Sequence, residues 1–172
     1  MGAFEALTFI IFYAFIHKDI LTFHGVLIEH ESKGILLCAD SGMGKTTHAR
    51  LWRDHKNALI INGDRPSFFE KNGEWYGFGT PWCGTSGEYL NRKVPLKAIV
   101  VLEKGPDNIV TVENAMSLFH HVSYPAWHSE TAEKTFSLLD GLLGKIPVLR
   151  LQCTRDKSAV DTLNQALESL PI

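Results

Sequence analysis

A glycine-rich segment between an apolar run and a helical pattern limits the folds open to this chain. Residues 39–52 read ADSGMGKTTHARLW and follow the apolar run ILLCA at 35–39. A continuous apolar run bounded by turn residues predicts a strand buried on both faces. The residues after the glycines predict a helix from about Lys45 to Arg53. A buried strand, a glycine-rich loop and a helix in this order are typical of an α/β fold.

The loop has the spacing of a phosphate-binding loop. Residues 39–46 supply a small residue, four variable positions and Gly-Lys-Thr, with Ala39 where glycine is commonest. The glycines let backbone N–H groups point at a phosphate, and the helix start adds its positive dipole end. Lys45 would reach the terminal phosphates, and the Thr46 hydroxyl would bind Mg²⁺. The expected nucleotide contacts are Asp40, Ser41, Gly42, Met43, Gly44, Lys45, Thr46 and Thr47. The alternative, an accidental glycine-rich turn, does not explain why motif and context agree.

The other segments predict one domain, 1–172, with a mixed sheet flanked by helices. We expect strands at 25–29, 35–39, 58–62, 67–70, 74–78, 96–103, 108–112 and 147–153, and helices near 113–123, 129–143 and 157–169. Asn72-Gly73 predicts a hairpin turn, and residues 32–34 predict a second turn. The strand at 108–112 is expected to pair with the strand at 96–103. The domain divides into an apolar helix (1–19), a nucleotide-binding core (20–155) and a C-terminal helix (156–172).

Composition narrows the class of partner. Apolar residues make up 45% and charged residues 21%, as in an average globular protein, and the net charge is -2. This charge argues against a nucleic-acid partner. The apolar run at 6–16 is too short to span a membrane and predicts a buried or interface helix. Three widely spaced cysteines suggest neither a disulfide framework nor a metal site, so we expect a cytoplasmic protein.

Asp64 is the leading candidate for chemistry beyond binding. It ends the predicted strand at 58–62, and ligands of open α/β sheets gather at the carboxyl ends of strands. There it would bind the metal or accept a proton from an attacking hydroxyl. The alternative is that Asp64-Arg65-Pro66 is only a turn. Three further histidines suggest a solvated helix end rather than a metal site: His120, His121 and His128.

An aromatic and glycine-rich stretch follows at 75–89, WYGFGTPWCGTSGEY. Lining of a ligand pocket and a glycine-kinked strand packed on the core explain it equally well. From their positions, Arg65, Glu88, Asn91 and Arg92 are candidates for the acceptor side of the site. For Glu88, Asn91 and Arg92 the alternative is a solvated loop.

Four segments in order resemble the C-terminal domain of the HPr kinase/phosphorylase family. They are HGVLIE at 24–29, ADSGMGKTTHARLW at 39–52, INGDRP at 61–66 and GTPWCG at 79–84. The resemblance covers roughly residues 20–155. That family shares a nucleotide-binding core with phosphoenolpyruvate carboxykinase. The resemblance therefore implies a phosphate-loop domain with that core.

The resemblance also implies roles for two residues outside the loop. In the family, a histidine before the first strand and an aspartate after the strand that neighbours the loop flank the reacting phosphate, and the aspartate acts as base toward a serine hydroxyl. His24 and Asp64 match these positions. Gly63 departs from the pattern, because HPr kinases usually carry two adjacent aspartates there. GTPWCG replaces their later signature, as in peptide-modifying relatives, so HPr itself is not the expected substrate. Carboxykinases are several times longer, and carboxykinase activity is not expected either.

These observations predict a kinase that uses ATP and Mg²⁺. The acceptor would be a hydroxyl, either a serine of a peptide or protein or a group on a small metabolite, with Lys45, Asp64 and His24 as the catalytic residues. Two alternatives stay open. One is a non-catalytic ATP/ADP sensor, suggested by Gly63, and the other is a simple NTPase. Only one helix precedes His24, so we expect acceptor recognition from the core, from a neighbouring subunit of a homo-oligomer or from a separate protein.

Overall fold

This computed structural model describes residues 3–123 and 129–170. The helices are α1 (Ala3–His17), α2 (Lys45–Lys56), α3 (Ser129–Leu143) and α4 (Lys157–Glu168). The strands are β1 (Ile20–Thr22), β2 (Val26–His30), β3 (Lys33–Cys38), β4 (Leu59–Asn62), β5 (Ser67–Lys71), β6 (Glu74–Phe78), β7 (Lys93–Lys104), β8 (Ile109–Val112) and β9 (Val148–Cys153). Two 3₁₀ segments, Gly84–Ser86 and Ala115–His121, lie between them.

The described strands form one mixed sheet. The strand order is β1-β5-β6-β7-β3-β2-β4, while β9 pairs with the second half of β7 and β8 pairs with β9. Strands β3, β7 and β9 run parallel, and the other pairings are antiparallel. The prediction of an α/β fold with a mixed sheet flanked by helices is confirmed. The finer division of the chain into segments 1–19, 20–155 and 156–172 stays a prediction.

Strand directions bring several chain segments to one edge of the sheet. Because β3, β7 and β9 are parallel, their carboxyl ends lie on the same side. Strand β2 is antiparallel to both β3 and β4, so β2 begins where β3 and β4 end. We call this side, with the ends of β3, β4, β7 and β9 and the start of β2, the loop edge. Ligands of open α/β sheets bind at such an edge.

Apolar side chains fill both faces of the sheet. On one face, Trp52 of α2 and Leu163 of α4 are fully buried in a cluster with alternate residues of β2, β3 and β7. On the other face, Leu139 of α3 and Ile16 of α1 join a second cluster. Each central strand contributes to both clusters, as expected of strands covered on two sides. The sheet is therefore held rigidly under the loop edge.

One predicted pairing is wrong. Strand β8 pairs with β9 and not with β7, because β9 lies between them. The connection after β7 crosses the end of β9, where the Gly105 N–H donates to the Cys153 carbonyl at 3.2 Å. A Cβ at Gly105 would collide with the Gln152 side chain. The short spacing suggested a hairpin, and only the later strand β9 reveals the gap that it fills.

Turns and boundaries also refine the prediction. The Asn72-Gly73 hairpin is confirmed, with φ of 54° and 85° at the two residues. The first turn lies at Glu31 and Ser32, one residue earlier than predicted, with φ of 50° and 61°. Helix α2 extends three residues past Arg53. The segment 113–123 forms a 3₁₀ helix rather than an α-helix, and no sequence pattern indicated β1.

Helix α1 is covered on one side. Phe12 and Ile16 are buried, whereas Leu7 and Ile10 are 52% and 63% exposed. The helix is thus buried along one face only, and the predicted alternative of an interface helix stays a prediction. Among the described residues, no helix has both the length and the apolar character needed to cross a bilayer.

Candidate functional site

The glycine-rich loop at the loop edge is shaped for an anion. It follows β3 and leads directly into α2. Gly42 and Gly44 have φ of 76° and 108°, values that residues with a Cβ rarely adopt. No atom lies within 4 Å of the point that a Cβ of Gly42 would occupy. No side chain caps the start of α2 at Gly44. The first N–H groups of the helix are thus available to phosphate oxygens.

Lys45 lies over this loop. Its ammonium group donates hydrogen bonds to the carbonyls of Ala39 at 2.7 Å and Asp40 at 3.3 Å. Burial lowers the pKa of Lys45 from its ordinary value, and the negative groups around it, including the carboxylates of Asp64 and Asp40, partly oppose this shift. Asp64 thus lies near enough to Lys45 for its charge to act on the ammonium group.

Asp64 is held by hydrogen bonds to the backbone around it. The side-chain oxygen of Asn62, a fully buried residue, accepts the N–H groups of Asp64 at 3.0 Å and Arg65 at 2.7 Å. The Asn62 amide donates to the Thr80 carbonyl at 2.8 Å, and the Thr80 hydroxyl donates to the Arg65 carbonyl at 2.7 Å. The segment after β4 is therefore a turn, and this turn also fixes the position of the carboxylate at the loop edge.

His24 faces Asp64 across the start of β2. Nδ1 of His24 lies 3.0 Å from Oδ1 of Asp64, and the Gly25 N–H donates to the Asp64 carbonyl at 2.8 Å. Nε of Arg65 lies 3.5 Å from Oδ2. Burial opposes ionisation of Asp64, but the contact with His24 and the charges of Arg65 and Lys45 outweigh it, so its pKa lies below the ordinary value. Asp64 is thus a carboxylate at neutral pH, able to accept a proton or bind a cation.

The aromatic and glycine-rich stretch divides between two environments. Trp75 is 2% exposed and packs in the core from β6. The later part of the stretch covers Asp64: a Cβ at Gly84 would lie 2.9 Å from Cβ of Asp64, and the Arg65 N–H donates to the Trp82 carbonyl at 3.0 Å. The first part of the stretch therefore fits the interpretation of a strand packed on the core, and lining of a ligand pocket by the later part stays a prediction.

Gly63 lies directly under this covering loop. A Cβ at Gly63 would fall well inside the van der Waals distance of the Ser86 hydroxyl and lie 3.2 Å from the Cys83 carbonyl oxygen. The Ser86 hydroxyl is fixed in place, since it donates to that carbonyl at 2.7 Å. The covering loop therefore occupies the space that a side chain at position 63 would need.

Gly63→Ala is expected to lower the free energy of unfolding by about 1–3 kcal/mol, because the added carbon must displace Ser86. Urea denaturation measures this loss. In a Ser86→Gly background the same change should cost less, since the colliding atoms are gone. Gly141→Ala is the matched control: its Cβ would have 4.0 Å of clearance from Trp75, so no loss is expected. An equal loss from Gly63→Ala in both backgrounds would contradict the packing argument.

Two of the predicted acceptor-side residues make contacts close to Asp64. The guanidinium of Arg65 also donates to the Ser123 hydroxyl at 3.0 Å and lies 5.8 Å from the centre of the Phe12 ring. The Glu88 carbonyl accepts the Gly63 N–H at 3.0 Å. Its carboxylate, however, turns toward α2, where it pairs with Arg53 at 3.2 Å. Arg65 and the backbone of Glu88 are thus near the site.

The other two face a different part of the molecule. Arg92 forms an ion pair with the buried carboxylate of Glu29, which lies toward the opposite end of β2 from His24. Asn91 and Arg92 line a surface pocket together with Phe69. The structure therefore does not bring Asn91 or Arg92 to the His24–Asp64 pair.

His121 belongs to the site although the sequence suggested a solvated helix end. It is 6% exposed, and its carbonyl accepts the His24 N–H at 2.6 Å. Burial lowers the pKa of His121, with the charges of Lys45 and His24 acting in the same direction and Asp40 opposing them. A bridge between Phe23 and the residue after His121 joins the two segments. No local pattern indicates this long-range contact. His128, the third of the predicted histidines, lies outside the described residues.

Two residues of the site offer oxygens that could hold a magnesium ion together with a nucleotide. Among residues 3–123 and 129–170, no three His, Cys, Asp or Glu side chains converge as a metal site. The Thr46 hydroxyl makes no hydrogen bond to another described residue, and Asp64 offers an ionised carboxylate. Mg²⁺ typically binds through one or two protein oxygens together with phosphate oxygens and waters. These residues therefore fit that ion in company with a nucleotide.

Comparisons with known proteins give one result for the fold. No family model matches the chain, and no curated protein sequence matches it. A solved structure of the Hpr(Ser) kinase/phosphatase from Coxiella burnetii is similar, with a TM-score of 0.47 and 12% sequence identity over 86% of this chain and 99% of that chain. At this identity and TM-score the similarity carries no conclusion about family or function, and membership of the family suggested by the sequence motifs stays a prediction.

Proposed function

We propose that this protein is a kinase that transfers the γ-phosphoryl group of ATP to a hydroxyl group. The observation that carries the proposal is the His24–Asp64 contact of 3.0 Å at the edge of the sheet where the phosphate loop opens. A phosphate loop alone supports only binding. An ionised carboxylate on the same edge, electrostatically coupled to Lys45, supports transfer to an acceptor.

The proposed step assigns a role to each residue. Asp64 accepts the proton of the acceptor hydroxyl while the oxygen of that hydroxyl attacks the γ-phosphorus of ATP. The bond between the γ-phosphorus and the β–γ bridging oxygen breaks, and ADP leaves. His24 holds the carboxylate in position, and Lys45 offsets the charge on the phosphates. Thr46 and Asp64 are the proposed Mg²⁺ ligands, and the ion when bound neutralises phosphate charge.

The acceptor class follows from the same residues. A carboxylate base suits a hydroxyl, so we propose a serine of a peptide or protein, or a hydroxylated small metabolite. All three cysteines are free thiols, which supports a reducing cytoplasm as the place of the reaction.

A non-catalytic nucleotide sensor is the second candidate. It is favoured by Gly63, since the covering loop leaves no space for a second carboxylate there. Such a module would bind ATP or ADP through the loop and report it to a partner. A simple NTPase, in which water replaces the acceptor, is the third outcome to test.

Labelled ATP, mixed with the protein and a panel of serine peptides and hydroxylated metabolites, separates these functions. Label on an acceptor supports the kinase. Tight ATP binding without turnover on any acceptor would leave the sensor, and phosphate release without an acceptor would leave the NTPase. Either of the last two results would overturn the proposal that the protein is a kinase.

A further inference from the structure

A cleft adjoins the phosphate loop on the side away from His24 and Asp64. Strand β3 has β2 and β4 on one side and β7 and β9 on the other. The His24–Asp64 pair lies at the β2/β4 side of the loop edge. The cleft lies at the β7/β9 side, between the start of α2 and the strand ends. Its lining includes Met43, Thr47, Leu51, Leu102, Lys104 and Arg155.

Arg155 is the one arginine in the described part of the chain without a carboxylate partner. The other five each lie within 4.0 Å of an Asp or Glu oxygen: Arg50, Arg53, Arg65, Arg92 and Arg150. Lys104, on the same cleft, also forms no ion pair with a described residue. Two uncompensated cations thus flank one side of the loop, and such a pair attracts an anion.

The guanidinium of Arg155 lies against the loop itself. Its Nε is 3.8 Å from the point that a Cβ of Gly44 would occupy. Arg155 directly follows the end of β9, and the parallel direction of β9 and β3 brings both ends to the loop edge. A phosphate chain lying in the loop would therefore pass within reach of this side chain.

We propose that Arg155 binds phosphate oxygens of the nucleotide on the side remote from His24 and Asp64. The terminal phosphate faces Asp64, so the rest of the nucleotide extends toward β7 and β9, with Lys104 on the same side. A planar guanidinium donates two parallel hydrogen bonds to phosphate, which suits this position. The inference rests on the nucleotide binding in the proposed function, but not on phosphoryl transfer.

Calorimetric titration of the full chain with ADP and with inorganic tripolyphosphate tests the proposal. Arg155→Ala is expected to weaken both ligands by about 10- to 100-fold, the range for loss of charge-assisted hydrogen bonds. Arg155→Lys should restore part of the affinity, because it keeps the charge but not the paired donors. Lys157→Ala is the control, since this exposed lysine, two residues later, pairs with Asp161 at 3.3 Å and should leave both affinities unchanged.

The two ligands separate the outcomes. Unchanged ADP affinity in Arg155→Ala, with thermal unfolding like that of the wild type, would overturn the proposal. Loss of ADP affinity alone would also overturn it, because it would assign Arg155 to the base or ribose. A wild-type protein that binds ADP but phosphorylates no acceptor would refute the proposed kinase and leave the Arg155 contact standing.

Discussion

Asp64→Asn is expected to reduce phosphoryl transfer by about 10²- to 10⁴-fold while ADP still binds. The amide is nearly the same size as the carboxylate but cannot accept the acceptor proton. The fold should persist, because Asn62 holds the backbone of this turn through hydrogen bonds of 2.7 and 3.0 Å. Transfer of label from ATP to the acceptor hydroxyl measures the loss of activity, and a titration with ADP measures whether nucleotide binding is retained.

Asp54→Asn is the matched control for this substitution. Asp54 lies on α2 with its side chain 54% exposed and pairs with Arg53, outside the site. Transfer by this variant should equal that of the wild type. Full transfer by Asp64→Asn would contradict the role of Asp64 as base, and transfer by neither the wild type nor the variant would point to the sensor.

Lys45→Ala is expected to abolish turnover and weaken nucleotide binding by at least about 10- to 100-fold, since a charged hydrogen-bond donor to phosphate is lost. Among the residues that the structure describes, the Lys45 side chain bonds only to loop carbonyls, so thermal unfolding should change little. Lys56→Ala at the other end of α2 serves as the control, because its ammonium pairs with Asp161. Normal ATP binding by Lys45→Ala would show that the loop is wrongly assigned.

The pKa of Lys45 adds a pH dependence to this prediction. Burial lowers that pKa below its ordinary value of 10.5, whereas bound phosphate favours the protonated form. Above the pKa that Lys45 has in the free protein, ADP binding therefore requires Lys45 to take up a proton, and ADP affinity falls as pH rises. The fall should begin at lower pH than for an ordinary lysine. In Lys45→Arg, which stays protonated, it should be absent if the variant still binds.

Local patterns in the sequence were enough for the phosphate loop and the strand–loop–helix around it. The apolar run at 35–39 predicts β3 because a strand covered on both faces needs no polar side chains. The glycines allow backbone angles that turn N–H groups toward a phosphate, and Gly42 and Gly44 have positive φ values that favour glycine. The Asn72-Gly73 turn was readable for the same reason. In each of these cases the physical cause lies within a few consecutive residues.

Contacts between distant segments were not readable in this way. The wrong partner for β8 arose because β9, some forty residues later, inserts beside β7. His121 is buried, and its backbone bonds to His24, nearly a hundred residues earlier. Arg155 is a candidate phosphate-binding residue because it lies beside Gly44 and has no carboxylate partner among the described residues. None of these contacts can be inferred from the residues that neighbour them in the sequence.

The sequence was sufficient to predict an anion-binding loop in an α/β fold, because turn conformation and strand burial follow from neighbouring side chains. It named Asp64 from its place after a predicted strand, and His24 only through a family resemblance. Their separation of 3.0 Å, the loop packed on Gly63 and the two sides of the loop edge come from strand order and direction. Those depend on how the whole chain buries its apolar surface, so the arrangement of the site emerges with the packed sheet.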